Sequence, residues 1–230
     1  MRPGDISLAP LWMVRSPAPH YLLHASQLTP RSVIKPRIGV LWYSMYGHVG
    51  ALAAAVARGA QSAGAEVKQL QFRETLPEGL VKKLGGGLSI EPKHDIATPE
   101  ALEELDGFLI GAPTRYGRLP AQVSAFLDST GGQFARGAFV GKFASTFTSS
   151  NTQHGGQETT ALTTMPFFAH MGIIHVPIGF TQPYLADVES AHGGSPYGVS
   201  TLAGQDGKRT PTEGELALAE HQGKVGWMES

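Results

Sequence analysis

Short apolar runs alternate with amphipathic segments along most of the chain. The run Ile38–Tyr43 is almost wholly apolar, as expected of a β-strand that is covered on both faces. After a short turn, Val49, Leu52 and Val56 recur at helical spacing, and Gly64 marks the end of that helix. The same reasoning predicts further strands at 66–72, 108–112, 143–147 and 173–178, and further helices at 98–105, 119–127, 157–170 and from 212 onwards.

Five strands that are linked by helices predict a parallel sheet with helices on both faces. Right-handed crossovers make this a doubly wound α/β fold in three layers, with strand order 2-1-3-4-5. The helix that contains Pro166 is expected to kink or restart there, and the glycine-rich excursion 180–211 carries no predicted element. We expect residues 36–228 to form this one domain and residues 1–35, which prolines interrupt, to be a poorly ordered extension.

Composition excludes several classes of protein. Lys and Arg total 18 against 19 for Asp and Glu, so the net charge of −1 argues against a nucleic-acid-binding protein. The absence of cysteine excludes disulfides, thiolate catalysis and cysteine-bound metals. No apolar run approaches the roughly 18 residues of a membrane span, so no membrane insertion is expected.

Three loops of unusual composition follow strands one, three and four. The first loop is Ser44–His48, the second loop is Pro113–Gly117, and the third loop is 149–156. In the order 2-1-3-4-5 the carboxyl ends of these strands are neighbours, and ligands of such sheets bind beyond those ends. The three loops should therefore converge on one site.

None of the three loops contains a carboxylate, which excludes a phosphoacceptor receiver domain and a divalent-metal hydrolase. The patterns of a Walker loop, a dinucleotide-binding glycine motif and a serine-hydrolase elbow are also missing. The Ser44 hydroxyl and the amides of 46–49 suit a phosphate monoester at a helix N-terminus, and polar loops suit a planar heterocycle. Flavin mononucleotide (FMN) combines both, although Ser44 alone could be a helix cap and Tyr116 a surface aromatic.

Long stretches of the chain resemble the WrbA family of flavodoxin-like NAD(P)H:quinone oxidoreductases. The resemblance covers about residues 36–225 in order, and it is carried by Tyr43–His48, Gly111–Gly117, Phe126–Gly132, His154–Glu158, Val176–Gly179, Gly193–Gly198 and Ala203–Gly207. It implies a flavodoxin-like fold, a homo-oligomer (a dimer or tetramer) and a cytoplasmic location.

The resemblance also implies site residues and ligands. FMN would be held by Ser44, Met45, Tyr46, Gly47, His48, Val49, Pro113, Thr114, Arg115, Tyr116, Gly117, Ser149, Ser150, Asn151, Thr152, Gln153, His154, Gly155 and His170. Tyr46 matches the nicotinamide position, and Phe134 stands at the quinone pocket where many members have tryptophan. The electron donor would be NADH or NADPH, the substrate a small quinone, and the kinetics two-electron and ping-pong.

The residues leave some roles open. Arg115 or neighbouring amides could stabilise charge on the reduced flavin, and His170 or His154 could donate a proton to the reduced quinone. A one-electron carrier of the flavodoxin type and a flavin-binding regulatory protein are the alternatives. The near-neutral charge and the excursion 180–211 count against a carrier, because carriers commonly dock through a strongly acidic face.

Overall fold

β1 (Arg37–Trp42) lies inside a parallel sheet in the computed structural model, which describes residues 35–87 and 89–225. It pairs with β2 (Glu66–Gln71) on one side and β3 (Gly107–Pro113) on the other, and β4 (Phe143–Ser150) pairs with β3. The order β2-β1-β3-β4-β5 confirms the predicted doubly wound fold. Except for Lys35, the predicted extension 1–35 lies outside the described residues.

The fifth strand position is filled by two short segments. The strand predicted at 173–178 is present but shorter than predicted, and within the described residues the sheet has six strands instead of five. β5 (Ile174–His175) pairs with the start of β4, and β6 (Ser200–Leu202) pairs with its end. Pro177 cannot donate to the sheet, and Gly179 turns with a φ of 59°, so the chain leaves the sheet here. It returns in the predicted excursion, whose only sheet contribution is β6.

Helices cover both faces of the sheet. Their bounds are α1 (His48–Ser62), α2 (Glu78–Lys83), α3 (Pro99–Glu103), α4 (Ala121–Asp128), α5 (Gly131–Arg136), α6 (Gln157–Met171) and α7 (Glu213–Lys224), with a 3-10 turn at Pro183–Ala186. α1 and α7 pack on one face of the sheet, and α3, α4 and α6 pack on the other. Alternate residues of the strands point to the two faces, so the domain has two apolar cores. Within the described residues, no helix has the length and apolar character needed to cross a bilayer.

Local signals explain where several helices begin. The Thr98 hydroxyl caps α3, and Thr212 forms a capping box with Glu215 at the start of α7. α6 continues through Pro166, so of the two predicted outcomes, a kink or a restart, the restart does not occur. α2, α5 and the 3-10 turn were not predicted because each is no longer than six residues and shows little periodicity.

Candidate functional site

The carboxyl ends of β1, β3 and β4 lie side by side, as the strand order requires. At these ends the Tyr43 N–H donates to the Gly111 carbonyl at 2.9 Å, and the Thr114 N–H donates to the Ser149 carbonyl at 2.9 Å. The first, second and third loops therefore leave the sheet at neighbouring points, as predicted.

The first loop offers mainly backbone groups. Gly47 has a φ of 101° and turns the chain into α1, and its N–H donates to the Ser44 hydroxyl at 3.0 Å. The side chains of Met45 and Val49 are buried in the two cores, so only their main-chain atoms can reach a ligand. Within residues 35–87 and 89–225, the N–H groups of His48 and Val49 have no protein acceptor. This start of a helix is suited to an anion.

The second loop holds Tyr116 in an unusual backbone conformation. Its φ is 55°, and reciprocal hydrogen bonds between the backbones of Arg115 and Arg118, at 2.8 and 3.2 Å, close the turn around it. A residue other than glycine in this region costs about 1 kcal/mol or more, and such strain is concentrated at functional sites. The Tyr116 ring is fully exposed. Backbone strain and full exposure of the ring thus occur together at Tyr116.

The third loop begins later than predicted, because Ser149 and Ser150 belong to β4 and are buried. The Ser150 hydroxyl donates to the Thr152 carbonyl at 2.7 Å, and the Gly155 N–H donates to the same carbonyl at 3.1 Å. Residues 151–154 are exposed. In the part of the chain that the structure describes, the N–H groups of 152–154 have no protein acceptor.

Gly156 brings the second and third loops into contact. It has a φ of 100°, and a Cβ at this position would lie 2.8 Å from the Gly117 Cα and 3.1 Å from the Thr114 Oγ1. Thr160, in the first turn of α6, donates its hydroxyl to the Thr114 hydroxyl at 2.8 Å. The N-terminal end of α6 therefore supports both loops.

The hydrogen-bond donors of the three loops, which together form a cradle, indicate the kind of ligand that it can hold. The three loops supply hydroxyls, free N–H groups and the half-buried guanidinium of Arg115, and they contain no acidic residue. A phosphate fits the N–H groups at the start of α1, and the second and third loops offer further donors to a polar ring. FMN therefore fits the residues that are present.

Comparison with known proteins supports this conclusion. The model of the NADPH-dependent FMN reductase family matches residues 44–182, a span that contains all three loops. The chain belongs to this family. It is 47% identical over 198 residues to the NAD(P)H dehydrogenase (quinone) of Methanosarcina acetivorans, which covers 82% of this chain and 93% of that protein. It is 45% identical over 192 residues to an NAD(P)H quinone oxidoreductase of Candida albicans, over 83% of this chain and 94% of that protein.

The fold is similar to that of the flavodoxin, WrbA-like protein from Agrobacterium tumefaciens, with a TM-score of 0.54 and 20% identity over 83% of this chain and 94% of that one. The resemblance to flavodoxin-like quinone oxidoreductases is thereby confirmed. The individual site residues stay predictions.

In this member of the FMN reductase family, His170 lies away from the three loops of its own chain. Thr160 contacts the second loop, and His170 lies ten residues further along α6, about 15 Å away at 1.5 Å per residue. His154, the other histidine considered as a proton donor, lies within the third loop.

Phe134 also lies away from the loops. Its neighbour Gln133 donates to Glu103 at 2.9 Å, and Lys142, directly before β4, donates to the Glu103 carbonyl at 3.0 Å. α5 therefore lies near the amino ends of β3 and β4. The exposed ring of Phe134 is therefore not part of the site that the three loops of its own chain form.

A segment near the C-terminus, around Arg209 and Glu215, supports the first loop and was not predicted from the sequence. The His48 Nε2 hydrogen-bonds to the Arg209 carbonyl at 2.9 Å. The Arg209 guanidinium makes two bonds of 3.1 Å to the carboxylate of Glu215, which is completely buried. Burial acts to raise the pKa of Glu215, but hydrogen bonds, that of Arg209 foremost, outweigh it and leave the pKa below its usual range.

A second missed group lies at the opposite side of the first loop. The Tyr43 hydroxyl and the Gln122 amide each donate to the Glu74 carboxylate at 2.7 Å. Burial and the hydrogen bond to Glu74 raise the pKa of Tyr43 well above its ordinary value, so its hydroxyl stays protonated. Burial acts to raise the pKa of Glu74, yet the hydrogen bonds donated by the Leu76 N–H, Gln122 and Tyr43 leave it below its usual range. Nothing in the local sequence around Glu74 indicated these long-range partners.

Tyr46, predicted at the nicotinamide position, is half exposed, and its hydroxyl donates to the Leu84 carbonyl at 3.2 Å. A Cβ on Gly86 would lie 2.5 Å from the Met45 Cγ, so the segment 84–87 packs directly against the first loop. This segment therefore forms one wall beside Tyr46.

Proposed function

We propose that this protein is an FMN-dependent oxidoreductase that reduces quinones with NADH or NADPH as the electron donor. The convergence of three acid-free loops at the carboxyl edge of the sheet supports the proposal most directly. Membership of the FMN reductase family and relatives named as quinone oxidoreductases support the substrate class. The redox chemistry is that of bound FMN, which can exchange two electrons with both substrates.

The first loop binds the phosphate. The Ser44 hydroxyl retains its proton for donation, since it accepts the hydrogen bond from Gly47. The unpaired N–H groups of His48 and Val49 add the partial positive charge at the start of α1. The buried side chains of Met45 and Val49 close the floor of the loop and exclude water from it.

The second and third loops orient the flat ring. Thr114 and Arg115 of the second loop and the N–H groups of 152–154 in the third loop would hold the ring. Donors aimed at the ring stabilise negative charge that develops on reduction. The exposed rings of Tyr116 and Tyr46 flank the site and offer surfaces on which planar nicotinamide and quinone rings can stack.

Proton delivery to the quinone oxygen is assigned first to His154, because it lies in the third loop of the same chain. Phe134 and His170 act only if the protein is a homo-oligomer in which they face a neighbouring copy's flavin. Both are exposed and both lie away from their own loops, which supports this arrangement. A cytoplasmic location, where both nicotinamide donors are available, completes the proposal, and cell fractionation tests it.

Steady-state turnover of FMN-loaded protein tests the proposed activity. We expect NAD(P)H oxidation that depends on added benzoquinone and gives parallel double-reciprocal lines, because both substrates use one site in turn. Bound FMN with negligible NAD(P)H oxidation would instead favour a carrier or regulatory protein. Failure to bind FMN would refute the assignment of all three loops.

Mixed oligomers test the role across subunits. If His170 serves a neighbour's site, the His170→Ala and Tyr116→Gly variants should each lose quinone turnover when pure. Co-refolding the two inactive variants then creates sites that contain both native residues, and activity should return. Mixtures no more active than the pure variants would contradict action of His170 across a subunit contact.

A further inference from the structure

Gln157, the first residue of α6, is buried, and its side-chain amide lies between the third loop and the excursion. The Gly194 N–H, at 3.3 Å, can only donate, so it must face the amide oxygen. The Ser200 hydroxyl donates to the same oxygen at 2.5 Å. This leaves the amide nitrogen to donate to the Ser150 hydroxyl at 3.1 Å. The orientation of the amide is therefore fixed by its partners.

The bond to Ser150 controls the third loop. Because the Ser150 oxygen accepts from Gln157, its own proton is directed to the Thr152 carbonyl at 2.7 Å. That carbonyl also accepts the Gly155 N–H at 3.1 Å, which closes the turn 152–155. Gln157 makes a second, longer contact with the Gln153 carbonyl at 3.5 Å. In the part of the chain that the structure describes, the side chains of the exposed residues 151–154 make no hydrogen bond. The backbone bond from the Gly204 N–H to the Asn151 carbonyl, at 3.1 Å, fixes the start of this segment. The turn 152–155 itself is held by the relay that runs from Gln157 through Ser150 to the Thr152 carbonyl.

The other end of the relay is part of the sheet. Ser200 lies in β6 opposite Thr148, and its hydroxyl also accepts the Gly194 N–H at 2.6 Å. The Gln157 amide therefore connects β6 and the excursion to the turn that presents free N–H groups at the proposed site, beside the backbone bonds from Ala203 to Ser150 and from Gly204 to Asn151.

We propose that Gln157 is a positioning residue for FMN, which acts through Ser150 to hold the third loop ready for the flavin ring. The inference rests on the proposed function. The Gln157 amide is occupied by protein partners and need not touch the cofactor. Without it, the turn 152–155 must be ordered when FMN binds, and that ordering weakens affinity.

Gln222 provides a matched control. It is another buried glutamine that ties the segment before β6 to β4: its oxygen accepts the Val199 N–H at 2.7 Å, and its nitrogen donates to the Ser145 hydroxyl at 2.7 Å and the Thr146 carbonyl at 2.9 Å. It makes none of its hydrogen bonds to the third loop. Gln157→Leu and Gln222→Leu therefore remove comparable buried amides, and only one of them acts on the proposed site.

The experiment is an FMN titration of wild-type, Gln157→Leu and Gln222→Leu apoprotein, with urea unfolding of each. We expect the FMN dissociation constant to rise at least tenfold in Gln157→Leu, about 1.4 kcal/mol, and less than threefold in Gln222→Leu. Equal weakening in both variants, or none in Gln157→Leu, would overturn the inference. Wild-type protein that does not bind FMN would instead refute the proposed function.

Ser150→Ala keeps the test decisive if Gln157→Leu does not fold. This variant removes the acceptor of Gln157 and the bond to Thr152, and it should weaken FMN by a similar factor. Where both single variants fold, the double variant should bind little worse than either, because the two residues act in one relay. Fully additive losses would show that Gln157 does not act through Ser150.

Discussion

Replacing Gly156 by alanine should disturb the proposed FMN site, because Gly156 lies where the second and third loops are in contact. Gly156 has a φ of 100°, which L-residues with a Cβ rarely adopt. The added methyl group would lie 2.8 Å from the Gly117 Cα, and this neighbour is backbone that cannot rotate away. The substitution therefore combines backbone strain with a steric clash.

Gly64 allows the two costs to be separated. It has a φ of 90°, yet a Cβ there would meet no atom within 4 Å. In Gly64→Ala the unfolding free energy should fall only by the cost of the left-handed backbone conformation, about 1–2 kcal/mol. In Gly156→Ala the steric clash should lower the unfolding free energy by a further amount of about 1–3 kcal/mol, as in other overpacked sites. The expected total at Gly156 is about 2–5 kcal/mol.

Urea unfolding and FMN titration of both variants measure these quantities. We expect Gly156→Ala to be the less stable variant and to bind FMN weakly, because Gly117 and Thr114 must move apart from the third loop. Gly64→Ala, which follows α1 far from the three loops, should bind FMN normally. Equal stability losses, or unchanged FMN affinity in Gly156→Ala, would refute the reasoning.

Three further predictions follow from the contacts. Glu215→Gln should lower the unfolding free energy at neutral pH by about 3 kcal/mol, because the Arg209 charge loses its partner. Because the folded-state pKa of Glu215 lies below its ordinary value, ionisation of Glu215 stabilises the fold at pH values above the unfolded-state pKa. This contribution is lost as the pH falls through the folded-state pKa. Urea unfolding at several acidic pH values should therefore show a smaller acid-induced loss of unfolding free energy in Glu215→Gln than in the wild type. Ser44→Ala should weaken FMN but not riboflavin, which lacks the phosphate, and equal weakening of both in competition titrations would contradict a phosphate contact. His154→Gln should lower quinone turnover per bound FMN while leaving FMN content unchanged, and an unchanged rate would exclude His154 as the proton donor.

Local sequence signals accounted for most of the fold. Ile38–Tyr43 is apolar enough to be placed inside the sheet, and Thr212 with Glu215 three residues later defines the start of α7. The strand order then placed the three loops together. β6 was missed because Ser200–Leu202 is only three residues long and is buried by pairing with β4 rather than by an apolar pattern.

The supporting contacts of the site could not be predicted, because they join residues far apart in the chain. Gln157 meets Ser200 across 43 positions, and His48 meets Arg209 across 161. The position of His170 is different. A helix that follows a parallel strand returns to the amino edge of the sheet, so its last turn lies away from the loops, and the predicted topology already contained this information.

The anaerobic half-reactions of the FMN-loaded protein test the central claim most directly. One equivalent of NADH or NADPH should abolish the absorbance of the oxidised flavin, and one equivalent of benzoquinone should restore it. That result would show one FMN site serving a nicotinamide donor and a quinone acceptor in turn. Flavin that stays bound but unreduced by both nicotinamides, or reduced flavin that benzoquinone does not reoxidise, would contradict the account.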